Sequence, residues 1–191
     1  MNNQEVITNS IKTIIEMLND RGIKMDIQTD AINDIISSNN NRITFEVILN
    51  KIKIIYYLNM KFKWSEMKKV FDNEDPDNKY DLYFLIIKDK ISQSNMKLIN
   101  ALNLNIQIFD IKELQFNITK HILVPKHELI KDEEVVKSLL EQYSLKTKYQ
   151  MPIILKTDPV AKYYNLKNGD VVKITRHSPS AGEYIIYRCC L

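Results

Sequence analysis

Apolar residues recur along this chain at two periods, and the changes between them mark its elements. From Gln4 to Arg21, Ile7, Ile11, Ile14, Ile15 and Leu18 fall on one helical face, and Gly22 can end that helix. Thr29 to Ser37 predicts a second, shorter helix, followed by a loop over Ser38 to Arg42. Ile43, Phe45, Val47 and Leu49 then alternate with polar residues, the period of a half-buried strand. Ile52 to Leu58 follows as its hairpin partner across Asn50-Lys51. Trp64, Met67, Val70 and Phe71 return to helical spacing. The acidic loop Asp72 to Asn78 leads into Tyr80 to Ile87, whose unbroken apolar run predicts a strand covered on both faces. A helix over Ser92 to Leu102 and a strand over Ile106 to Phe109 complete the alternation. Residues 1–112 should therefore form a helix-flanked mixed β-sheet domain.

Around Ile111 to Phe116 the register changes, and a second domain, residues 113–191, is expected. Asn117 to His121 predicts a strand, and Val124-Pro125 an extended connection. Asp132 can cap a helix whose Val135, Val136, Leu139, Leu140 and Tyr143 face one way, with Glu133 and Glu134 in the first turn where the helix dipole favours them. After a linker over Lys146 to Met151, Asp158 and Pro159 supply the cap and first position of a short helix ending near Asn165. Asn168-Gly169 offers a tight turn into a strand from Val171 to Arg176. Ser178-Pro179 and Ala181-Gly182 make another turn, and Tyr184 to Cys189 alternates as the returning strand. The expected class is α+β, or mixed α/β: an N-terminal mixed sheet and a small C-terminal α+β domain closed by a hairpin.

Composition narrows this picture without identifying a chemistry. The 191 residues are 45% hydrophobic, enough for a real core in each domain. The longest apolar run, Leu82 to Ile87, is too short to cross a bilayer, and no basic-then-apolar leader opens the sequence, so no membrane partner is expected. Asn117-Ile118-Thr119 has the form of a glycosylation sequon, which without secretion is only a local sequence. The two cysteines, Cys189 and Cys190, are adjacent and point to opposite faces of a strand, which suits neither a disulfide nor zinc. The chain is thus expected to be intracellular. Residues 117–191 hold twelve basic against eight acidic side chains, and residues 1–116 fifteen against sixteen. That excess can favour an acidic partner or nearby nucleic acid, but is too small to mark a free-standing DNA binder. Abundant Asn, Ile and Lys point to an A·T-rich coding genome.

Candidate catalytic groups are few. His121 and His127 are six residues apart with Pro125 between them and no third ligand in view, and His177 stands beside a turn facing solvent. Ser178 precedes Pro179 without a nucleophile elbow, and glycines only at 22, 169 and 182 exclude dinucleotide and P-loop fingerprints. A mixed sheet could hold nuclease carboxylates, for which Glu46 and Asp89 are the nearest candidates, but Glu46 lies on a polar strand face and Asp89-Lys90 opens a loop. No catalytic, metal or cofactor residues are assigned.

The residues Asp158-Pro159-Val160-Ala161-Lys162-Tyr163-Tyr164, Leu166-Lys167, Gly169, Val171 to Ile174, Arg176, Ser178, Ala181-Gly182, Tyr184-Ile185 and Tyr187-Arg188 carry a resemblance. It extends upstream through Asn117 to His121, Leu123 to His127 and Glu133-Glu134-Val135. This stretch resembles the C-terminal assembly domain of the shared fifth subunit of eukaryotic nuclear RNA polymerases, a family that includes its archaeal equivalent. Over residues 1–110 the resemblance is faint: the order of elements, Asp20-Arg21-Gly22 after a first helix, and a strand then helix near Leu85 to Leu102.

The resemblance implies a non-catalytic subunit that docks on the largest polymerase subunit through its C-terminal domain, contacts other polymerase subunits, and lends its N-terminal domain to the jaw beside downstream duplex DNA. Lys162, Tyr163, Tyr164, Lys167, Lys173, Arg176, Tyr184, Tyr187 and Arg188 form the candidate partner-binding set, in keeping with the interface value of tyrosine and arginine. For Tyr163 and Tyr187 especially, a core position is the alternative the residues leave open. In the family the loop after the buried jaw strand approaches DNA. Lys88, Lys90, Ser92, Gln93 and Asn95 hold that place here, although Asp89 opposes phosphate and the proline common in the family is missing. The implied location is the nucleus for a cellular protein, or the transcription site or virion of a large DNA virus. The divergent N-terminal half and the A·T bias tilt toward the virus. A stand-alone adaptor using the same hairpin, and less so a nuclease-like enzyme, are the competing readings.

Overall fold

The computed structural model describes residues 3–25, 44–49, 51–72, 80–178 and 182–191. The helix expected over Thr29 to Ser37, the loop after it, and most of the acidic loop after Phe71 lie outside the described residues. Two four-stranded mixed sheets with helices against them make this an α+β protein, as expected. Contacts divide the chain into two units: Met1–Ile14 with Met25–Phe116, and Ile15–Lys24 with Asn117–Leu191.

Helix α1, Asn3–Asp20, contributes to both units. Ile7, Ile11, Ile14, Met17 and Leu18 are buried along it, whereas Ile15 is only half-buried. The helix stops where the sequence predicts, because Gly22 adopts φ +87° and Ile23 N–H reaches back to the Leu18 carbonyl at 2.9 Å.

In the first unit, β1 (Thr44–Leu49) and β2 (Ile52–Tyr57) form an antiparallel hairpin, and β3 (Leu82–Ile87) and β4 (Ile106–Asp110) extend it in parallel, in the order β1-β2-β3-β4. The burial follows from position. The edge strand β1 alternates, while central β2 and β3 are buried at every residue. Helices α2 (Trp64–Asp72) and α3 (Gln93–Asn100) place Met67, Phe71 and Ile99 on one sheet face, against Ile55, Tyr57, Tyr83, Leu85 and Ile87. On the opposite side Tyr56 stacks on Phe45 with ring centroids 4.5 Å apart and shares a 2.8 Å hydrogen bond with the buried Ser10 hydroxyl of α1. The unit ends in a 3-10 turn, Ile111–Leu114, closed by a reciprocal Asp110–Glu113 capping box.

In the second unit the sheet order is β5-β7-β8-β6, with β5 at Lys126–Ile130, β6 at Ile153–Ile154, β7 at Val171–Ser178 and β8 at Gly182–Cys190. Helix α4 (Glu133–Gln142) begins at the predicted Asp132 cap, and α5 is Pro159–Tyr164. Alternation along β7 and β8 sorts the core onto two faces. Val172, Ile174 and Cys190 pack with Ala161 and Leu166 of the α5 segment, and Val171 and Cys189 pack with Leu139 of α4 and Met151. The apolar stripe of α4 is narrower than the periodicity suggests, since Val135 and Tyr143 are exposed. No described helix is long and apolar enough to cross a membrane.

One expected element is corrected. Residues 118–120 form a 3-10 turn instead of a strand. Asn117 is the cause: its side-chain oxygen accepts from Thr119 N–H at 3.0 Å and from Thr119 Oγ1 at 2.6 Å, a local bonding pattern that competes with strand geometry.

Candidate functional site

The candidate site is built mainly by Asp158 to Leu191. Asp158 Oδ1 accepts from Val160 N–H at 2.8 Å, and Pro159 fills the first helical position, so α5 starts where both residues require. Asn165 ends it in the left-handed region at φ 53°. The turn that follows is tied by Lys167 N–H to Asp170 Oδ2 at 2.6 Å, and Gly169 takes φ +85°. A Cβ on Gly169 would lie 2.9 Å from Lys148 Nζ, the movable end of a flexible side chain, so the demand for glycine here is chiefly conformational. β7 then leads to β8 in antiparallel register, from Val171 opposite Cys189 to Ser178 opposite Gly182.

The structure distributes the predicted partner-binding residues over several environments. Lys162 and Tyr164 are half-buried on α5, and Lys167 is exposed with its ammonium 3.1 Å from Asn165 Oδ1. Lys173 and Tyr187 are cross-strand partners and half-buried, with the Tyr187 ring 6.1 Å from that of Tyr143. Arg176 and Tyr184 are likewise paired across the strands and both exposed. Arg188 donates from Nη1 to the Ile153 carbonyl at 3.0 Å.

Pairing puts Arg176, Tyr184, Ile186 and Arg188 on one sheet face, which His127 of β5 joins as the neighbour of Ile174. Burial, and then the charges of Arg176 and Arg188, hold the His127 imidazole below its ordinary pKa, against the opposing pull of the Pro125 carbonyl and Asp158. The Arg176 and Arg188 guanidiniums give this face its positive charge, and Asp158 is the carboxylate that acts against them on His127.

Tyr163 is the exception in the set. It is 2% exposed, and its hydroxyl donates to Asp20 Oδ2 at 2.6 Å and accepts from Asn117 Nδ2 at 2.8 Å. Asn117 Nδ2 also donates to Glu16 Oε2 at 2.8 Å, and Lys120 pairs with Glu16 Oε1 at 2.8 Å. Arg21 donates to the Tyr163 carbonyl at 2.7 Å and the Lys162 carbonyl at 3.0 Å. Burial, then Asp20, pushes the Tyr163 phenol up. Burial would raise Glu16, but the bonds from Lys120 and Asn117 outweigh it and leave the carboxylate below its usual range. Sequence reasoning did not find this network. Its one visible trace was Asp20-Arg21, a polar pair at the end of an apolar helix.

Elsewhere, Lys88, Lys90, Ser92 and Gln93 are exposed and Asn95 is half-buried. Ser92 caps α3 by accepting from Asn95 N–H, and Asp89 Oδ1 accepts from Lys90 N–H at 2.8 Å. Glu46, the other carboxylate considered for a nuclease, pairs with the buried Lys53 at 2.9 Å. His177 is exposed and His127 Nδ1 lies 2.7 Å from the Pro125 carbonyl. Among the described residues no group of three or more His, Cys, Asp or Glu is placed to hold a metal ion. Cys189 and Cys190 are both fully buried free thiols.

Residues 116–190 match the family model described as RNA polymerase Rpb5, C-terminal domain. The chain is 49% identical over 88 residues to the subunit rpabc1 of DNA-directed RNA polymerases I, II and III of Dictyostelium discoideum, covering 46% of this chain and 44% of that protein. It is 32% identical over 105 residues to subunit 5B of DNA-directed RNA polymerases IV and V of Arabidopsis thaliana, covering 55% of this chain and 47% of that protein. These alignments span about half the length of each relative. A third relative, DNA-directed RNA polymerase subunit 5-like protein 1 of Arabidopsis thaliana, is 29% identical over 194 residues, 93% of this chain and 91% of that protein. The resemblance expected from the sequence is borne out.

Proposed function

We propose that this chain, whose residues 116–190 belong to the family of the RNA polymerase Rpb5 C-terminal domain, is a non-catalytic fifth subunit of a multisubunit DNA-directed RNA polymerase. Its relatives are named as subunits of such polymerases, among them subunit 5B and subunit rpabc1. The family match carries the reading: it covers nearly the whole of the contiguous segment Asn117–Leu191, and so includes the hairpin and its cationic face.

In this reading the C-terminal domain docks on the largest polymerase subunit. Arg176, Tyr184 and Arg188 provide contact area and charge, with Lys162, Tyr164, Lys167, Lys173 and Tyr187 around them. Tyr163 acts from within, as the residue that holds α5 in place. Residues 1–112 form the jaw-like domain beside downstream duplex DNA. Lys88, Lys90, Ser92, Gln93 and Asn95 contact phosphates there without reading sequence, and only when the complex holds the duplex. In a cell with nuclear polymerases the chain works in the nucleus. It needs no cofactor of its own.

Affinity purification of the tagged full chain from its native source tests this directly. Stoichiometric recovery of two large catalytic polymerase chains, identified by peptide sequencing, is the expected result. Abundant bait that brings down no large polymerase chain would overturn the assignment and leave a free-standing adaptor in its place.

A further inference from the structure

Strand β8 is paired along its whole length on one side only. β7 accompanies it from Gly182 to Cys189, whereas β6 adds only two rungs, Ile153 beside Cys189 and Ile154 beside Cys190. Among the described residues, Gly182–Arg188 have no strand neighbour on the β6 side. The backbone bonds at its end fix which groups face that side. Cys189 N–H donates to the Pro152 carbonyl at 2.9 Å and Leu191 N–H to the Ile154 carbonyl at 3.0 Å, while Cys190 N–H turns the other way to the Asp170 carbonyl at 2.8 Å. Because these directions alternate along a strand, the N–H and C=O groups of Glu183, Ile185 and Tyr187 point outward beyond the start of β6.

An open edge of this kind is usually protected by proline, lysine or a bulge. Gly182–Cys190 contains neither proline nor lysine, and β8 stays in register with β7 throughout. Two of its apolar side chains stand clear of the core instead: Tyr184 is 56% exposed and Ile185 40%. Arg176 and Arg188 share the Tyr184 face; on the other, Lys173 lies across from Tyr187 and is offset by Glu128, its partner on β5. The one carboxylate of β8, Glu183, lies 3.8 Å from His177. Charge complementarity therefore favours an acidic occupant, and the row of backbone donors and acceptors favours an extended peptide over a nucleic acid.

We propose that Glu183–Tyr187 of β8 receives an extended segment of a partner polymerase chain as an added strand in line with β6, with acidic side chains over the Arg176–Arg188 face and apolar ones against Ile185 and Tyr187. The inference rests on the polymerase reading above. β-Strand addition supplies backbone hydrogen bonds for affinity, and the side chains on the two faces set which segment is accepted. The pairing of Arg188 with Ile153 marks where the added strand must stop.

Three variants of the tagged full chain and one cross-linking position test it. Ile185→Pro removes an outward N–H without touching the β7 ladder. It should lower recovery of the large polymerase chains at least tenfold, with the circular dichroism of the free protein unchanged. Arg176→Glu, at an exposed position, should lower recovery about fivefold, and Arg176→Lys should restore it. A photo-cross-linking residue at position 185 should label one peptide of a polymerase chain, rich in Asp or Glu. Should Ile185→Pro fail to fold, Arg176→Glu and the cross-linked peptide decide the matter. Full recovery with Arg176→Glu and no peptide labelled from position 185 would overturn the edge proposal while leaving the polymerase reading intact. Labelling of nucleic acid would do the same. If the unaltered chain recovers no polymerase, both fall together.

Discussion

Tyr163 shows how a matched residue can matter from within the fold. Its hydroxyl is bonded to both Asp20 and Asn117, so Tyr163→Phe removes two hydrogen bonds and should cost roughly 1–2 kcal/mol in urea unfolding at neutral pH. The same phenol sets an alkaline limit. Its pKa is raised by burial and then by Asp20, so the folded state binds this proton more tightly than the unfolded chain does. The stability it contributes is complete below the unfolded value of about 10 and is lost as pH rises beyond it. Unfolding midpoints compared at neutral pH and above pH 10 should fall more steeply for the unaltered chain than for Tyr163→Phe. An equal slope would show that other groups control the alkaline loss, Tyr56 first among them, since burial raises its phenol as well. A core position for Tyr163 was left open by the sequence, but its partners Asp20 and Asn117 were not legible there. Residues far apart in the chain decide which of Tyr163 and Tyr164 is enclosed.

At the scale of elements, the sequence was most informative where a local rule acted alone. Asp158-Pro159 and Gly169 each impose a conformation through their own chemistry, and helix and turn formed where those residues stand. Asp158→Ala should cost about 1 kcal/mol through the lost cap. Gly169→Ala should cost about as much again, chiefly for a side chain held at φ +85°, because the Lys148 ammonium it would meet can swing aside. Chemical denaturation of both variants measures this, and an unchanged midpoint for Gly169→Ala would mean that the turn relaxes.

Long-range pairing was harder to see. Lys126–Ile130 became a strand although His127 and Glu128 break its apolar alternation, because β7 offers it a complete antiparallel ladder. Ile153–Ile154 is too short to show any period at all. Asn117 to His121 departs from expectation for the opposite reason, as an apparent strand sequence in which one side chain captures the backbone.

For the molecule as a whole, charge is a weak guide and topology a strong one. A net charge of +3 over 191 residues cannot make the free protein a firm DNA binder. In the proposed jaw role, duplex affinity of the isolated chain should be weak and should fall steeply with salt. Replacing Lys88 and Lys90 together by glutamate should flatten the plot of log affinity against log salt by roughly 2 units, one for each lost phosphate contact. A slope that does not move would remove this loop from the DNA path. The mixed class of the first sheet could be foreseen because buried central strands and half-exposed edges differ in pattern, whereas that of the second rests on the two-residue β6, which leaves no pattern. The open side of β8 could not be foreseen, since a strand carries the same residues whether or not a neighbour lies beside it.

The adjacent thiols at the end of the chain have a use as clocks. Cys189 and Cys190 are both fully enclosed, one in the cluster beneath α4 and the other in the cluster beneath α5. Burial also raises both thiol pKa values, which depletes the reactive thiolate. Alkylation can then proceed only when the sheet breathes, and each face keeps its own time. If α5 lifts before α4, a pulse of reagent should mark Cys190 first and leave a population carrying a single adduct. If the unit opens all at once, the mass spectrum should pass from no adduct to two with nothing between.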